Sequence, residues 1–234
     1  MRKIESFRFK KFSLEHSQSA QKIGTDSVLL ATWIEHHNPR RILDIGSGCG
    51  LISFILAQRF PNSEIVGIEI DKESHDESLI NLNSFPLATK LSFINADFLE
   101  YDFENLEFDL IISNPPFFKD AFLSGSASRN KARHEFSLPH LQLMEKCTSI
   151  LNKNGKLALV LPTEESELLQ SNAKMFCNRL TKLKNKPSAK IKRHLSEWSF
   201  FSDSSSEDEF ILRNENGDYS DSYKSLTKDY YLEF

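Results

Sequence analysis

Asp44-Ile45-Gly46-Ser47-Gly48-Cys49-Gly50 follows a short apolar run at 41–45 and leads into a second at 50–58. The first run is short and β-rich, the second long enough for a helix, so the stretch reads as strand, glycine turn, helix. Glycines here remove Cβ atoms and let a ligand approach the backbone closely. A helix N-terminus also favours an anion, a carboxylate as readily as a phosphate. The spacing is G-x-G-x-G. A dinucleotide fingerprint needs its third glycine one residue later, where this chain has Leu51. That spacing counts against a nicotinamide or flavin nucleotide.

Working outward, a second strand at 64–70 ends in Gly67-Ile68-Glu69-Ile70-Asp71. An acid at a strand end, about twenty residues beyond the glycines, is placed to accept ribose hydroxyls, and Glu69 is the candidate. Asp71 caps a helix to about 84. A third strand, 91–94, runs into Asn95-Ala96-Asp97, whose carboxylate can accept from an adenine amino group. Upstream, Thr25 and Asp26 cap a helix running to about 37. Downstream come a strand at 108–112, a helix at 138–151, a turn at 152–155 and a strand at 156–161. Strands alternating with helices predict an α/β chain with a parallel sheet covered on both faces. After Pro162 a helix at 164–177 precedes strand-like runs at 179–185, 190–200 and 208–213. These predict antiparallel strands at the end of the sheet, and Glu215-Asn216-Gly217-Asp218 predicts a turn. Phe7, Phe9 and Phe12 suggest short extended pieces before the core.

The fourth strand is followed at once by Asn114-Pro115-Pro116-Phe117. An amine on an aromatic base is a poor nucleophile, because its lone pair is delocalised into the ring. Two acceptors on its two N–H groups polarise it and turn the lone pair toward an electrophile. The Asn114 side-chain oxygen supplies one acceptor and the Pro115 carbonyl the other. Each proline fixes its own φ and restricts the residue before it, so that carbonyl is held in place. Phe117 offers a flat face for the base. No strong base is needed, since the proton can leave after the nitrogen has bonded to the electrophile.

The 234 residues suit one large domain, 39% hydrophobic and 26% charged, enough for an ordinary packed core. No apolar run is long enough to span a bilayer, and no secretory h-region follows the basic N-terminus. The three cysteines have neither metal-site nor disulfide spacing. A reduced, cytoplasmic protein without metal or membrane is expected. Net charge is −4, yet residues 170–196 carry eight Lys/Arg and no Asp/Glu. The first fourteen residues hold Arg2, Lys3, Arg8, Lys10 and Lys11 against Glu5, while acid gathers at 71–77 and 203–209. Phosphate neutralisation dominates nucleic-acid affinity, so two basic segments in an acidic chain suggest an RNA-facing surface as well as ordinary solvated faces.

The glycine loop, the two acids and their order resemble the cofactor site of class I S-adenosylmethionine-dependent methyltransferases over residues 24–162. The resemblance implies a Rossmann-like fold with a mostly parallel seven-stranded sheet and antiparallel C-terminal strands. It gives the methionine part of S-adenosylmethionine to Asp44, Gly46, Gly48 and Gly50, ribose to Glu69 and adenine to Asp97. The Asn114–Phe117 loop resembles that of enzymes acting on planar nitrogens: N6-adenine, N2-guanine in RNA, or the glutamine amide in protein. Lys22-Ile23-Gly24-Thr25-Asp26, Ala132-Arg133-His134-Glu135 and the tail Leu226-Thr227-Lys228-Asp229-Tyr230-Tyr231-Leu232 are similar to a bacterial family. That family comprises tRNA adenine-N6 methyltransferases acting at adenosine 37 of a valine tRNA. Likeness to it places Lys22, Thr25 and Asp26 at the cofactor, and Asn114 is expected to border the cofactor as well as the target amine. It implies a tRNA partner and S-adenosylhomocysteine as product. Arg129, Lys131, Arg133 and His134 have the loop position and charge for phosphates beside a flipped base, and Lys190, Lys192 and Arg193 for the rest of the RNA. The expected organisation is a single methyltransferase domain, 1–234, with an N-terminal extension at 1–21, a core at 22–162 and C-terminal strands and tail at 163–234. Few residues precede Asp44, and no target-recognition module fits, which turns the expectation from protein or DNA toward RNA. N2-guanine RNA methylation, glutamine-amide methylation and cofactor binding without turnover remain the alternatives.

Overall fold

The computed structural model describes residues 6–17, 23–86, 90–115, 129–202 and 205–233; in the helix starting at Arg129, side chains are described from residue 140. Strand β3 (Arg41–Ile45) is the centre. Its side chains alternate between two cores, as a strand's period of two requires: Ile42 packs into one and Leu43 and Ile45 into the other. The same alternation recurs in β6 (Phe108–Ser113), with Leu110 and Ile112 on one face and Ile111 on the opposite one. Both faces are apolar because helices cover both.

Beside β3 lie β4 (Glu64–Glu69) and then β5 (Lys90–Asn95) on one flank, and β6 and then β7 (Leu151–Pro162) on the other. All five run parallel. β8 (Phe176–Lys184), β9 (Arg193–Ser199) and β10 (Ser206–Ile211) extend the same sheet, in the order β10-β8-β9-β7-β6-β3-β4-β5. The expected α/β class holds, with one more strand than the seven foreseen. Of the three C-terminal strands only β9 is antiparallel, paired with β7 and β8; β10 runs parallel to β8. Charge explains where the extra edge strand sits: Lys182 pairs with Glu207, and Lys184 with Glu209 at 2.8 Å.

One layer holds α1 (Thr25–Trp33), α2 (Leu51–Arg59) and α6 (Asp221–Thr227), with an N-terminal hairpin of β1 (Ser6–Arg8) and β2 (Ser13–Glu15). α3 (Lys72–Ser84) packs against β5 and β2 on that side. The opposite layer holds α4 (Arg129–Ile150) and α5 (Thr163–Asn172) around Met144, Cys147, Leu169 and Trp198.

Several boundaries depart from the pattern-based reading. α1 stops at Trp33, four residues early, because the Arg59 guanidinium caps its end: Nη2 donates to Ile34 O at 2.9 Å. Gly24, not Thr25 or Asp26, is its N-cap, and no side chain caps it. Asp71 does cap α3, accepting from Ser74 N at 2.8 Å. Residues 152–155 do not turn the chain. They bulge within β7, between Leu151 opposite Phe108 and Lys156 opposite Leu110. Asp109 stitches the bulge down, accepting from Asn152 Nδ2 at 2.6 Å and from the Arg40 and Arg41 backbone at 2.7 and 3.0 Å. α5 ends at Asn172, and α4 starts nine residues before the expected helix.

Candidate active site

Open parallel sheets bind ligands beyond their strands' C-terminal ends, at the point where strand order reverses. Here that point lies between β3 and β6. The glycine loop leaves β3, Glu69 ends β4, Asp97 follows β5 and Asn114 follows β6.

The loop is tied to β4. Gly46 N and Ser47 N donate to Ile68 O at 2.9 and 3.2 Å. Gly48 N donates to Glu69 Oε2 and Asp71 N to Glu69 Oε1, both at 2.8 Å, so the buried Glu69 braces the loop as well as standing at the site. Gly46 and Gly48 both take left-handed φ, +69° and +54°, and a Cβ built on either meets nothing within 4 Å. The protein leaves open space against this backbone. Gly50 differs: its φ is +91°, and a Cβ there would lie 2.6 Å from Phe54 and 2.7 Å from Phe93. That glycine serves the packing of α2 on the sheet.

Asp44 is fully buried. Ser53 N and Oγ donate to Oδ2 at 3.0 and 2.6 Å, and Oδ1 has no partner among the described residues. Burial pushes its carboxyl up to about 7; the Ser53 bonds oppose the shift and the nearby Glu69 charge adds to it. An orphaned buried oxygen beside an open glycine cradle fits a ligand bearing a hydrogen-bond donor or cation there. Asp97 is exposed and accepts from Leu99 N at 2.8 Å. Ile70 and Leu99, adjacent to the two acids' turns, stay 66% and 37% exposed, an apolar surface that charge-based reasoning passed over.

Asn114 sits between α1 and the sheet. Its Nδ2 donates to Ser27 Oγ at 2.8 Å, and its buried Oδ1 has no partner among the described residues. Pro115 is buried. Ser113 Oγ donates to Ile45 O at 2.8 Å, locking the end of β6 to β3. Pro116, Phe117 and Lys22 lie outside the described residues. Arg129, Lys131, Arg133 and His134 form the start of α4, and their side chains lie outside the description.

Because β9 is antiparallel, it begins where the parallel strands end; Arg193 stands opposite Pro162, the last residue of β7. Arg193, at the start of β9, therefore lies at the rim where the parallel strands finish. Arg193 Nε pairs with Asp26 Oδ2 at 2.9 Å. Thr25, Asp26, Lys190, Lys192, Arg193 and Leu212 line a cavity of about 310 Å³. Asp26 lies mostly buried, and desolvation raises its pKa against the opposing charge of Arg193. Other members of the basic segment are neutralised: Lys174, Arg179, Lys182 and Lys184 pair with Glu145, Glu35, Glu207 and Glu209. Lys190 and Lys192 are exposed, with no carboxylate partner among the described residues. Among the described residues no helix is long and apolar enough to cross a membrane, and no group of three His, Cys, Asp or Glu could hold a metal ion.

Comparison with known proteins identifies the family. Residues 12–178 match the family model described as "Methyltransferase small domain". A tRNA1(Val) (adenine(37)-N6)-methyltransferase of Histophilus somni is 34% identical over 237 residues, covering 100% of both chains. A protein of the same name from Christiangramia forsetii is 35% identical, covering 97% of this chain and 98% of its own. In fold, a protein described as a predicted O-methyltransferase from Agrobacterium tumefaciens superposes with a TM-score of 0.68 at 16% identity, over 87% of this chain and 95% of the other. With its model matched over residues 12–178 and full-length likeness to these relatives, the chain belongs to the methyltransferase small-domain family, in its tRNA1(Val) adenine-N6 methyltransferase branch.

Proposed function

We infer that the chain transfers a methyl group from S-adenosylmethionine to the exocyclic N6 amine of an adenosine in tRNA, at position 37 of a valine tRNA. The observation that carries the chemistry is Asn114 at the end of β6, with a buried oxygen left free among the described residues and an amide nitrogen already engaged. Full-length likeness to relatives named for adenine 37 supports adenine over guanine. The bound cofactor supplies an electrophilic sulfonium methyl and leaves as S-adenosylhomocysteine.

The chain's own residues do the rest. Asp44 and the open backbone at Gly46 and Gly48 suit the methionine end, with Gly50 holding the loop's shape. Glu69 has lone pairs to spare for ribose hydroxyls, and Asp97 with Ile70 and Leu99 suits an adenine ring. Asn114 Oδ1 and the Pro115 carbonyl accept from the two N–H groups of the target amine, and Pro116 and Phe117 complete that loop. Lys22 and Thr25 are kept as candidates for the cofactor's amino-acid end. Asp26 is engaged by Arg193, so a role at the cofactor ammonium requires that pair to open. Arg129, Lys131, Arg133, His134, Lys190, Lys192 and Arg193 are assigned to RNA phosphates, the last three around the rim cavity. Such an enzyme works in the cytoplasm, where tRNA is.

Labelled cofactor incubated with unmodified tRNA, followed by nucleoside analysis, tests this reading. N6-methyladenosine is expected, and N2-methylguanosine or labelled protein would overturn it.

A further inference from the structure

An asparagine side chain ends in two groups of nearly equal shape, and half a turn about χ2 exchanges them. For Asn114 the exchange decides chemistry. With Oδ1 toward the substrate, the amide accepts from an amine N–H; with Nδ2 there, donors face donors.

The first turn of α1 bears on this choice. Ser27 Oγ receives Asn114 Nδ2 at 2.8 Å, across 87 residues of sequence. The turn itself is fixed on both sides of Ser27. Asp26 is held by Arg193 at 2.9 Å, and Val28 is fully buried in the core. Ser27 is thus a rigid point of attachment. A hydroxyl can accept or donate, so the bond alone sets the plane and tilt of the amide. The acceptor amine, which brings only N–H donors to that side, selects the state with Oδ1 facing it.

We propose that Ser27 is a positioning residue for the transfer: its bond to Asn114 Nδ2 fixes the plane and tilt of the amide from which Oδ1 meets the substrate amine. The proposal rests on the reading of the site as a planar-amine methyltransferase. Ser27 touches neither cofactor nor substrate in this role. Its contribution therefore belongs to the chemical step and not to binding, as expected for a group that matters most in the transition state.

The test uses the full chain with Ser27→Ala, Ser27→Cys and Ser27→Thr. Ser27→Ala lowers kcat roughly tenfold or more, with KM for tRNA and the dissociation constant of S-adenosylhomocysteine within about twofold of wild type. Ser27→Thr keeps the hydroxyl and most of the rate. In an Asn114→Ala background Ser27→Ala causes no further loss, because its effect passes through that side chain. If Ser27→Ala lowers Tm substantially, the near-isosteric Ser27→Cys takes its place in the cycle. Wild-type kcat in Ser27→Ala or Ser27→Cys overturns the proposal, as does a Ser27 effect of equal size with and without Asn114. Failure of the adenine reading is separately visible, since the wild-type enzyme would then form a different methylated product.

Discussion

The half-buried Asn114 and the buried Asp44 each keep one buried oxygen without a protein partner among the described residues. In the proposed reaction the Asn114 oxygen accepts from the target amine, so Asn114→Ala should lower kcat by about 100–1,000-fold while leaving cofactor affinity near wild type. Single-turnover rates with saturating cofactor measure it. For Asp44 the consequence is a pH dependence. Its unfolded carboxyl titrates near 3.8 and its folded one at about 7, because burial disfavours the charge more than Ser53 stabilises it. Below 3.8 both states are protonated, and Asp44 adds nothing to the pH dependence. Between 3.8 and about 7 the folded chain keeps a proton that the unfolded chain has lost, so this residue's contribution to stability falls as pH rises across that window. A cation at Oδ1 favours the ionised form. With the cofactor held at Oδ1 as proposed, binding below about pH 7 should therefore release a proton, and affinity should rise with pH up to about that value and level off above it. Calorimetry in two buffers of different ionisation enthalpy reads the proton, and Asp44→Asn should abolish its release.

The glycine loop and the start of β9 make their own predictions as elements. Gly48→Ala places a methyl in open space, so the folded apo-protein loses only the left-handed strain of about 1–2 kcal/mol. Its cofactor affinity should fall far more than its stability. Gly50→Ala adds a clash with Phe54 and Phe93 to the same strain, and should cost roughly 2–4 kcal/mol in stability. Urea denaturation and cofactor titration of the two variants separate a ligand-facing glycine from a packing one. In the segment before β9, Lys190→Ala with Lys192→Ala removes two charges that have no carboxylate partner among the described residues, without stranding Asp26, as loss of Arg193 would. Binding of tRNA should weaken and the slope of log K against log salt should flatten by roughly 1.4–1.8, with cofactor affinity unchanged. An unaltered slope would place these lysines away from the RNA.

Across the whole molecule the two ends of the chain close one layer together. Lys10 N donates to Tyr230 O at 2.7 Å, and the rings of Phe7 and Phe9 lie 6.0 and 5.7 Å from that of Tyr231. Phe9 stacks on Phe12 at 4.7 Å, and Phe12 continues to Phe54 in α2, directly behind the glycine loop. Phe9→Ala should therefore cost about 3–5 kcal/mol of global stability, read from denaturant unfolding. Because the aromatic chain backs onto α2, the variant should also loosen cofactor binding, though no residue of the site is changed.

What the sequence determined by itself is local or periodic. The 41–45 strand, the G-x-G-x-G turn, the Asp71 cap and the acids at strand ends follow from spacing and residue type over a few positions, and the structure has them in place. The class of the sheet followed from alternating strands and helices. What only the tertiary structure decided involves partners far apart in the chain. Asp109 turned the expected 152–155 turn into a bulge, and Arg59 ended α1 at Trp33. Acidic β10 settled as a parallel edge against the lysines of β8. Ser27 became the support of Asn114 only because α1 folds over the end of β6. Asp26 found Arg193 because an antiparallel β9 starts at the rim where the parallel strands finish. Hydrogen-bond and charge partners are selected by three-dimensional proximity and desolvation, and neither leaves a periodic mark in the sequence.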